Sequence, residues 1–174
     1  MSVILTTLYD AQTIRRRVFE LAADIMRTYA GQELTAVIVM NGGLFFAADL
    51  LRHVNLPVRV DSLPAGSYLH HASTGQLTMR GSLKLDVKGR HILLIDDILD
   101  TGFTLAELRK MILADGALSC RTCVLFDKAI PPEQKKAKPD WFGFRAPPQY
   151  LVGYGMDSDE IYRNLPDICI LRES

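Results

Sequence analysis

The 174 residues predict an α/β fold: an open, mostly parallel twisted sheet flanked by helices. Three observations carry this. Short apolar runs at 35–40, 91–95 and 119–126 are bounded by turn signals and read as buried strands. Segments with apolar residues at helical spacing, at 44–54 and 104–113, follow two of these strands. Strands that alternate with helices imply parallel βαβ units.

Each element has its own signal. Residues 11–30 form a helix, with Ile14, Val18, Leu21, Ala22 and Ile25 on one face and Asp10 as its cap. Arg15, Arg16 and Arg17 are expected on its solvated face. The strand at 35–40 ends in Asn41-Gly42-Gly43, so strand, glycine turn and helix follow one another. A further strand is expected at 58–63, entered through Pro57. Residues 64–80 have few apolar anchors and read as a mobile loop or loosely paired ribbon, a length typical of lids. Pro131, Pro132, Pro139, Pro147 and Pro148 break the later chain into short pieces, with brief final strands at 151–152 and 168–171.

Composition narrows the function. Hydrophobic residues make up 48% and charged residues 23%, which suits one ordinary globular domain over 1–174. Lys plus Arg is 20 and Asp plus Glu is 20, so the balanced charge argues against a nucleic-acid partner. No apolar run reaches the roughly 18 residues of a membrane span, and no membrane partner is expected. Residues 1–10 do not read as a signal peptide, and three cysteines are too few for a disulfide scaffold. A cytoplasmic protein is expected. Cys120 and Cys123 have CxxC spacing, but three residues apart on a strand they point to opposite faces, which disfavours zinc or redox use. Dinucleotide, P-loop and hydrolase signatures are absent.

The chemistry lies at 92–105. A buried strand delivers Asp96 and Asp97 at its carboxyl end, Asp100 follows, and Thr101-Gly102-Phe103-Thr104 opens a helix. Ligands of open α/β sheets bind beyond the carboxyl ends of strands. A loop entering a helix offers backbone N–H groups and a positive dipole end, a seat for phosphate. Carboxylates beside such a seat need other partners, and ribose hydroxyls or hydrated Mg²⁺ supply them. A sugar phosphate with vicinal hydroxyls satisfies both halves.

The run Ile92-Leu93-Leu94-Ile95-Asp96-Asp97-Ile98-Leu99-Asp100-Thr101-Gly102-Phe103-Thr104 resembles the diphosphoribosyl-pyrophosphate motif of type I phosphoribosyltransferases. Asp127-Lys128, the 139–144 stretch, Tyr150 to Asp157 and Tyr162-Arg163-Asn164-Leu165-Pro166 are similar to the hypoxanthine-guanine members. The likeness runs in order over about residues 10–171, strongest at 92–105 and 139–166. It implies a core at about 31–130, a small hood built from about 1–15 and 131–174, and a lid at about 64–80. The implied reaction joins a 6-oxopurine, hypoxanthine or guanine, to 5-phospho-α-D-ribose 1-diphosphate (PRPP), giving a nucleoside monophosphate and pyrophosphate. Mg²⁺ is the implied cofactor, and a homodimer or homotetramer the implied assembly.

Residue by residue, Asp100 matches the general base, and Ser67 and Tyr68 the pair in the lid. Asp96 and Asp97 match the ribose and Mg²⁺ ligands, while Asp100, Thr101, Gly102, Phe103 and Thr104 match the 5′-phosphate loop. Lys128 matches the donor to the purine 6-oxo oxygen, Tyr150 the stacking aromatic, and Leu151 the backbone reader of the base edge. Asp157, beside the purine, matches the ligand of a second Mg²⁺. Asn41, Gly42 and Arg163 match the pyrophosphate contacts. Three positions depart from the pattern. Asn41 stands where Lys or Arg is common and removes a positive charge. Phe103 replaces Lys or Asn in a position that uses its backbone. Leu69 replaces Gly after Ser67-Tyr68. Competing readings are a PRPP- or nucleotide-binding regulator of this fold, a xanthine-preferring transferase, and a phosphatase or receiver-type domain. The last would not need Asp-Thr-Gly-x-Thr as a phosphate seat.

Overall fold

Ile92, Leu93, Leu94 and Ile95 are all fully buried, and they form the middle of the central strand. Their side chains alternate between two cores, as strand geometry requires. Leu93 and Ile95 join one core with Ile14, Leu21, Ile25, Phe46 and Leu50, whereas Ile92 and Leu94 join the other with Leu105, Leu108 and Ile112. A strand covered on both faces reads as one continuous apolar run, and this is why the run was legible as buried.

The computed structural model describes residues 3–63, 68–70, 77–79 and 83–173. In chain order the elements are β1 (Val3–Tyr9), α1 (Ala11–Thr28), β2 (Leu34–Val39), α2 (Gly43–His53), β3 (Val58–Leu63), β4 (Tyr68–His70), β5 (Leu77–Met79), β6 (His91–Leu99), α3 (Phe103–Ala114), β7 (Ser119–Lys128), a 3₁₀ turn (Pro132–Gln134), β8 (Trp141–Ala146), β9 (Leu151–Val152) and β10 (Ile168–Glu173). Five strands make a parallel sheet in the order β3-β2-β6-β7-β8. Helices α1 and α2 pack on one another over one core, and α3 packs on β6 and β7 over the other. The two ends of the chain meet in a second, antiparallel sheet, β1-β10-β9, where Val3 pairs with Glu173. No helix among the described residues is long and apolar enough to cross a membrane.

Several expectations meet the structure here. Asp10 caps α1, its carboxylate accepting from the N–H of Thr13 at 2.7 Å. Cys120 lies in one core and Cys123 in the other, so the CxxC sulfurs do diverge. Burial pushes the Cys120 thiol up to about 12. Arg17 is a correction to the solvated face: its Nε donates to the Gly143 carbonyl at 2.8 Å and its Nη2 to that of Phe142 at 2.9 Å. Strand β8 is a sheet edge, and α1 places a guanidinium over its carbonyls. Neither β1 nor β8 was anticipated. The described part of 64–80 forms an antiparallel ribbon, β4 with β5. Ser67 and most of the expected lid lie outside the described residues.

The segment that leaves β3 returns at residue 83, and Asp61 ties the two points together. Asp61 is buried, and its carboxylate accepts from the N–H groups of Ser62 (2.8 Å), Lys84 (2.7 Å) and Leu85 (2.9 Å). Asp61→Ala would leave these donors without an acceptor, each a loss of about 1–3 kcal/mol when buried. Urea unfolding of Asp61→Ala is expected to show stability lower by about 2 kcal/mol or more. A change within ~0.5 kcal/mol would mean that water replaces the clamp.

Candidate active site

Strand β6 stays in register with β7 as far as Leu99 and Asp127, so the chain remains regular while its residues change from apolar to acidic. Asp96 accepts from the N–H of Asp97 at 2.9 Å, and Asp97 from that of Ile98 at 2.8 Å. Burial first, then the neighbouring Asp97 charge, raises the Asp96 carboxyl well above the usual carboxylate range. The Asp97 carboxylate fills the space in front of Gly42: a Cβ there would lie 2.1 Å from its Oδ2. A side chain at position 42 would force the Asp97 carboxylate to swing aside, so glycine lets the loop after β2 and the acidic end of β6 meet as they are.

Beyond Asp100 the chain turns through Gly102, whose φ is +79°, and α3 begins at Phe103. A Cβ on Gly102 would come within 3.0 Å of Ala137. Thr101 Oγ1 accepts from the Phe103 N–H at 3.3 Å, so the hydroxyl lies over the helix start. A cavity of about 360 Å³ opens here, walled by Asn41, Gly42, Asp96, Asp97, residues 100–104 and Arg163. It brings together the expected ribose, phosphate and pyrophosphate groups. The Met40–Asn41 peptide at its rim is cis.

A second cavity of about 300 Å³ adjoins the first and shares Asp97, Ile98 and Asp100 with it. Lys128, Tyr150, Leu151 and Asp157 complete its wall. Lys128 Nζ bonds Asp100 Oδ2 at 3.1 Å. Tyr150 is exposed, and its hydroxyl donates to the Asp157 carbonyl at 3.1 Å. Arg163, in the wall of the first cavity, pairs with Asp157 in the wall of the second at 2.8 Å and donates to the Gly155 carbonyl at 2.8 Å. Its Nε is buried and has no hydrogen-bond partner among the described residues. Every expected site residue is thus in one of two joined cavities, apart from Ser67, which lies outside the described residues, and Tyr68, which opens β4.

Sequence reasoning missed the supports. Gly153, Tyr154 and Gly155 all have positive φ, at +93°, +50° and +103°. A Cβ on Gly155 would lie 2.3 Å from the Gly42 carbonyl oxygen, so the two loops touch backbone to backbone. The Tyr154 hydroxyl donates to Asp49 Oδ2 on α2 at 2.8 Å, and burial raises its pKa. Asp127 is buried between Lys135 and Arg145. The acids fit Mg²⁺ in kind: hard oxygen donors, adjacent on one strand end. Among the described residues no cluster of three or more His, Cys, Asp or Glu side chains could hold a metal by itself. Mg²⁺ commonly uses one or two carboxylates and takes its other oxygens from substrate and water, so the two findings agree.

Residues 5–159 match the phosphoribosyl transferase domain family. The chain belongs to that family. Among relatives of this phosphoribosyltransferase, a hypoxanthine-guanine-xanthine phosphoribosyltransferase from Tritrichomonas foetus is 37% identical over 96% of this chain and 91% of its own. A hypoxanthine-guanine phosphoribosyltransferase from Aquifex aeolicus is 36% identical over 97% of this chain and 96% of its own. A crystal structure of a hypoxanthine-guanine phosphoribosyltransferase from Bacillus anthracis superposes with a TM-score of 0.88 at 30% identity, covering 99% of this chain and all of that one. The parallel sheet flanked by helices is the type I phosphoribosyltransferase fold that the sequence predicts.

The raised Asp96 pKa has a sign that can be measured in metal-free buffer. The folded state holds the Asp96 proton to higher pH than the unfolded state, whose ordinary value is 3.8. Stability from this residue is therefore present below that value and is lost as pH rises towards the folded pKa. Asp96→Asn removes the loss, so its melting temperature relative to the original protein is expected to be more favourable at pH ~8 than at pH ~4. An equal offset at both would show that Asp96 ionises normally in the fold.

Proposed function

We propose that this phosphoribosyltransferase is a purine salvage enzyme that transfers the 5-phosphoribosyl group of PRPP to hypoxanthine or guanine, giving IMP or GMP and pyrophosphate. The observation that carries this is the pair of joined cavities: an acidic one at the start of α3 and a second one with Lys128 and Tyr150, meeting at Asp97, Ile98 and Asp100. The relatives' names support the same substrates.

In this reading the loop 100–104 holds the 5′-phosphate with backbone N–H groups and the hydroxyls of Thr101 and Thr104. Asp96 and Asp97 accept the ribose hydroxyls and, with Asp157, are the residues that would hold Mg²⁺. When bound, that ion neutralises charge on the pyrophosphate leaving group. Arg163, Asn41 and the Gly42 backbone face the same group. Lys128 leaves Asp100 to donate to the purine 6-oxo oxygen; an ammonium rejects the 6-amino group of adenine because two donors cannot pair. Asp100, released, lies beside the purine imidazole, where its carboxylate takes the proton as the new bond to the anomeric carbon forms. Its charge also stabilises the cation that develops on the sugar. Tyr150 stacks on the base, and the Leu151 carbonyl reads its edge. Ser67 and Tyr68 belong to the lid that excludes water.

The same reading divides the chain into a core at about 31–130 and a hood from about 1–15 and 131–174. It assigns a homodimer or homotetramer, for which exposed Leu44 and Phe45 on α2 offer apolar contact area. It places the enzyme in the cytoplasm, where the free thiols of Cys120, Cys123 and Cys169 stay reduced.

The direct test mixes protein, Mg²⁺ and PRPP with hypoxanthine, guanine, xanthine or adenine and measures nucleotide formed. Turnover is expected with hypoxanthine or guanine and not with adenine; binding without turnover would leave a regulator of the same fold. Asp100→Asn is expected to lower kcat by about 10²–10⁴-fold. Undiminished turnover would remove Asp100 from the role of base. Lys128→Ala is expected to raise the KM for the purine and spare that for PRPP. Equal loss of both would contradict its assignment to the base.

A further inference from the structure

We propose that Lys135 is a positioning residue: it pins the segment that follows the 3₁₀ turn so that Lys128 and the phosphate loop are held in fixed register. This rests on the roles read above for Lys128 and residues 100–104.

Three consecutive residues make the contacts. Lys135 has a side chain only 11% exposed. Its ammonium pairs with the Asp127 carboxylate and donates to the Lys128 carbonyl at 3.1 Å. The N–H of Lys136 donates to the Thr101 carbonyl at 2.7 Å. Ala137 then packs against Gly102, within 3.0 Å of where a Cβ would be. One short stretch therefore touches the end of β7 and the first turn of the phosphate loop. With the Lys128–Asp100 bond, these contacts form a closed ring running from Lys135 through Lys128, Asp100 and Thr101 back to Lys136.

Charge compensation alone does not explain a lysine at this position. A buried ammonium is unfavourable unless paired, and so is the buried Asp127 carboxylate. Asp127 already has a second cation, since Arg145 reaches its other oxygen. Arg145 is held independently over the Phe142 ring, 4.5 Å from its centroid. What Lys135 adds is the bond to the Lys128 carbonyl. When Lys128 turns from Asp100 to the purine, the upper half of the ring opens. The lower half, Lys135 and Lys136, then keeps the base-reading lysine and the phosphate seat at one separation. A purine and a ribose phosphate joined by a bond of fixed length need that separation.

Steady-state kinetics of Lys135→Met, which keeps the stem and deletes the ammonium, test this. The KM values for hypoxanthine and for PRPP are both expected to rise about tenfold, with kcat within about threefold of the original. Lys135→Arg is expected to restore both. Arg145→Ala, which removes the other cation from Asp127 but no contact to Lys128 or Thr101, is expected to keep the original constants. If Lys135→Met does not yield folded protein by thermal melting, Lys135→Gln, which can still donate but carries no charge, replaces it with the same expectation at about threefold. KM values within twofold of the original in the charge-deleted variant, or an equal rise in Arg145→Ala, overturn the proposal. Lack of turnover in the original protein would strike the salvage reading instead. The pin is then read from GMP binding by calorimetry, where an unchanged Kd in Lys135→Met overturns it and about tenfold weakening supports it.

Discussion

The meeting of Gly42 with the Asp97 carboxylate is the constraint on which the site depends. A residue with a side chain at position 42 would collide with Asp97 at once, at 2.1 Å. Because it is glycine, the loop that leaves β2 lies against the acidic end of β6, and the two parallel strands present their carboxyl ends to one volume. Gly155 repeats the device from the other side, its bare α-carbon resting near the Gly42 carbonyl. Three segments distant in sequence thus meet around Gly42.

Charge is distributed around this convergence in pairs rather than singly. Lys128 faces Asp100, Arg163 faces Asp157, and Asp127 lies between Lys135 and Arg145. The first two pairs line the cavities. In the third the carboxylate is buried, where leaving it unpaired would be costly. Asp96 is a different case: burial and the neighbouring Asp97 charge push its carboxyl well above the usual carboxylate range.

Much of this was legible in the sequence because it is local. The strand 91–99 announces itself by four apolar residues followed by acids, and the loop after it by Asp-Thr-Gly-x-Thr. The apolar face of α1 follows from spacing alone. Strand β1 carried no such sign: most of its residues are exposed, and it exists because β10, more than 150 residues away, pairs with it. Strand β8 sits among prolines, which mask its alternation, and one of its edge contacts comes from Arg17 on the first helix. The same holds for the site. Its cavity-lining residues belong to contiguous motifs, whereas Asp49, Tyr154 and Lys135 gain meaning only from partners that folding brings to them.

Because the two cavities meet at Asp97, Ile98 and Asp100, a guest with an anionic end and a planar end can reach into both at once. An inhibitor built on either half alone would forgo the contacts of its neighbour. A single scaffold with a phosphonate head and an oxo-heterocycle arm, tethered at the right span, would engage both as one intramolecular event, and its potency would exceed that of the untethered fragments by the effective concentration the tether confers.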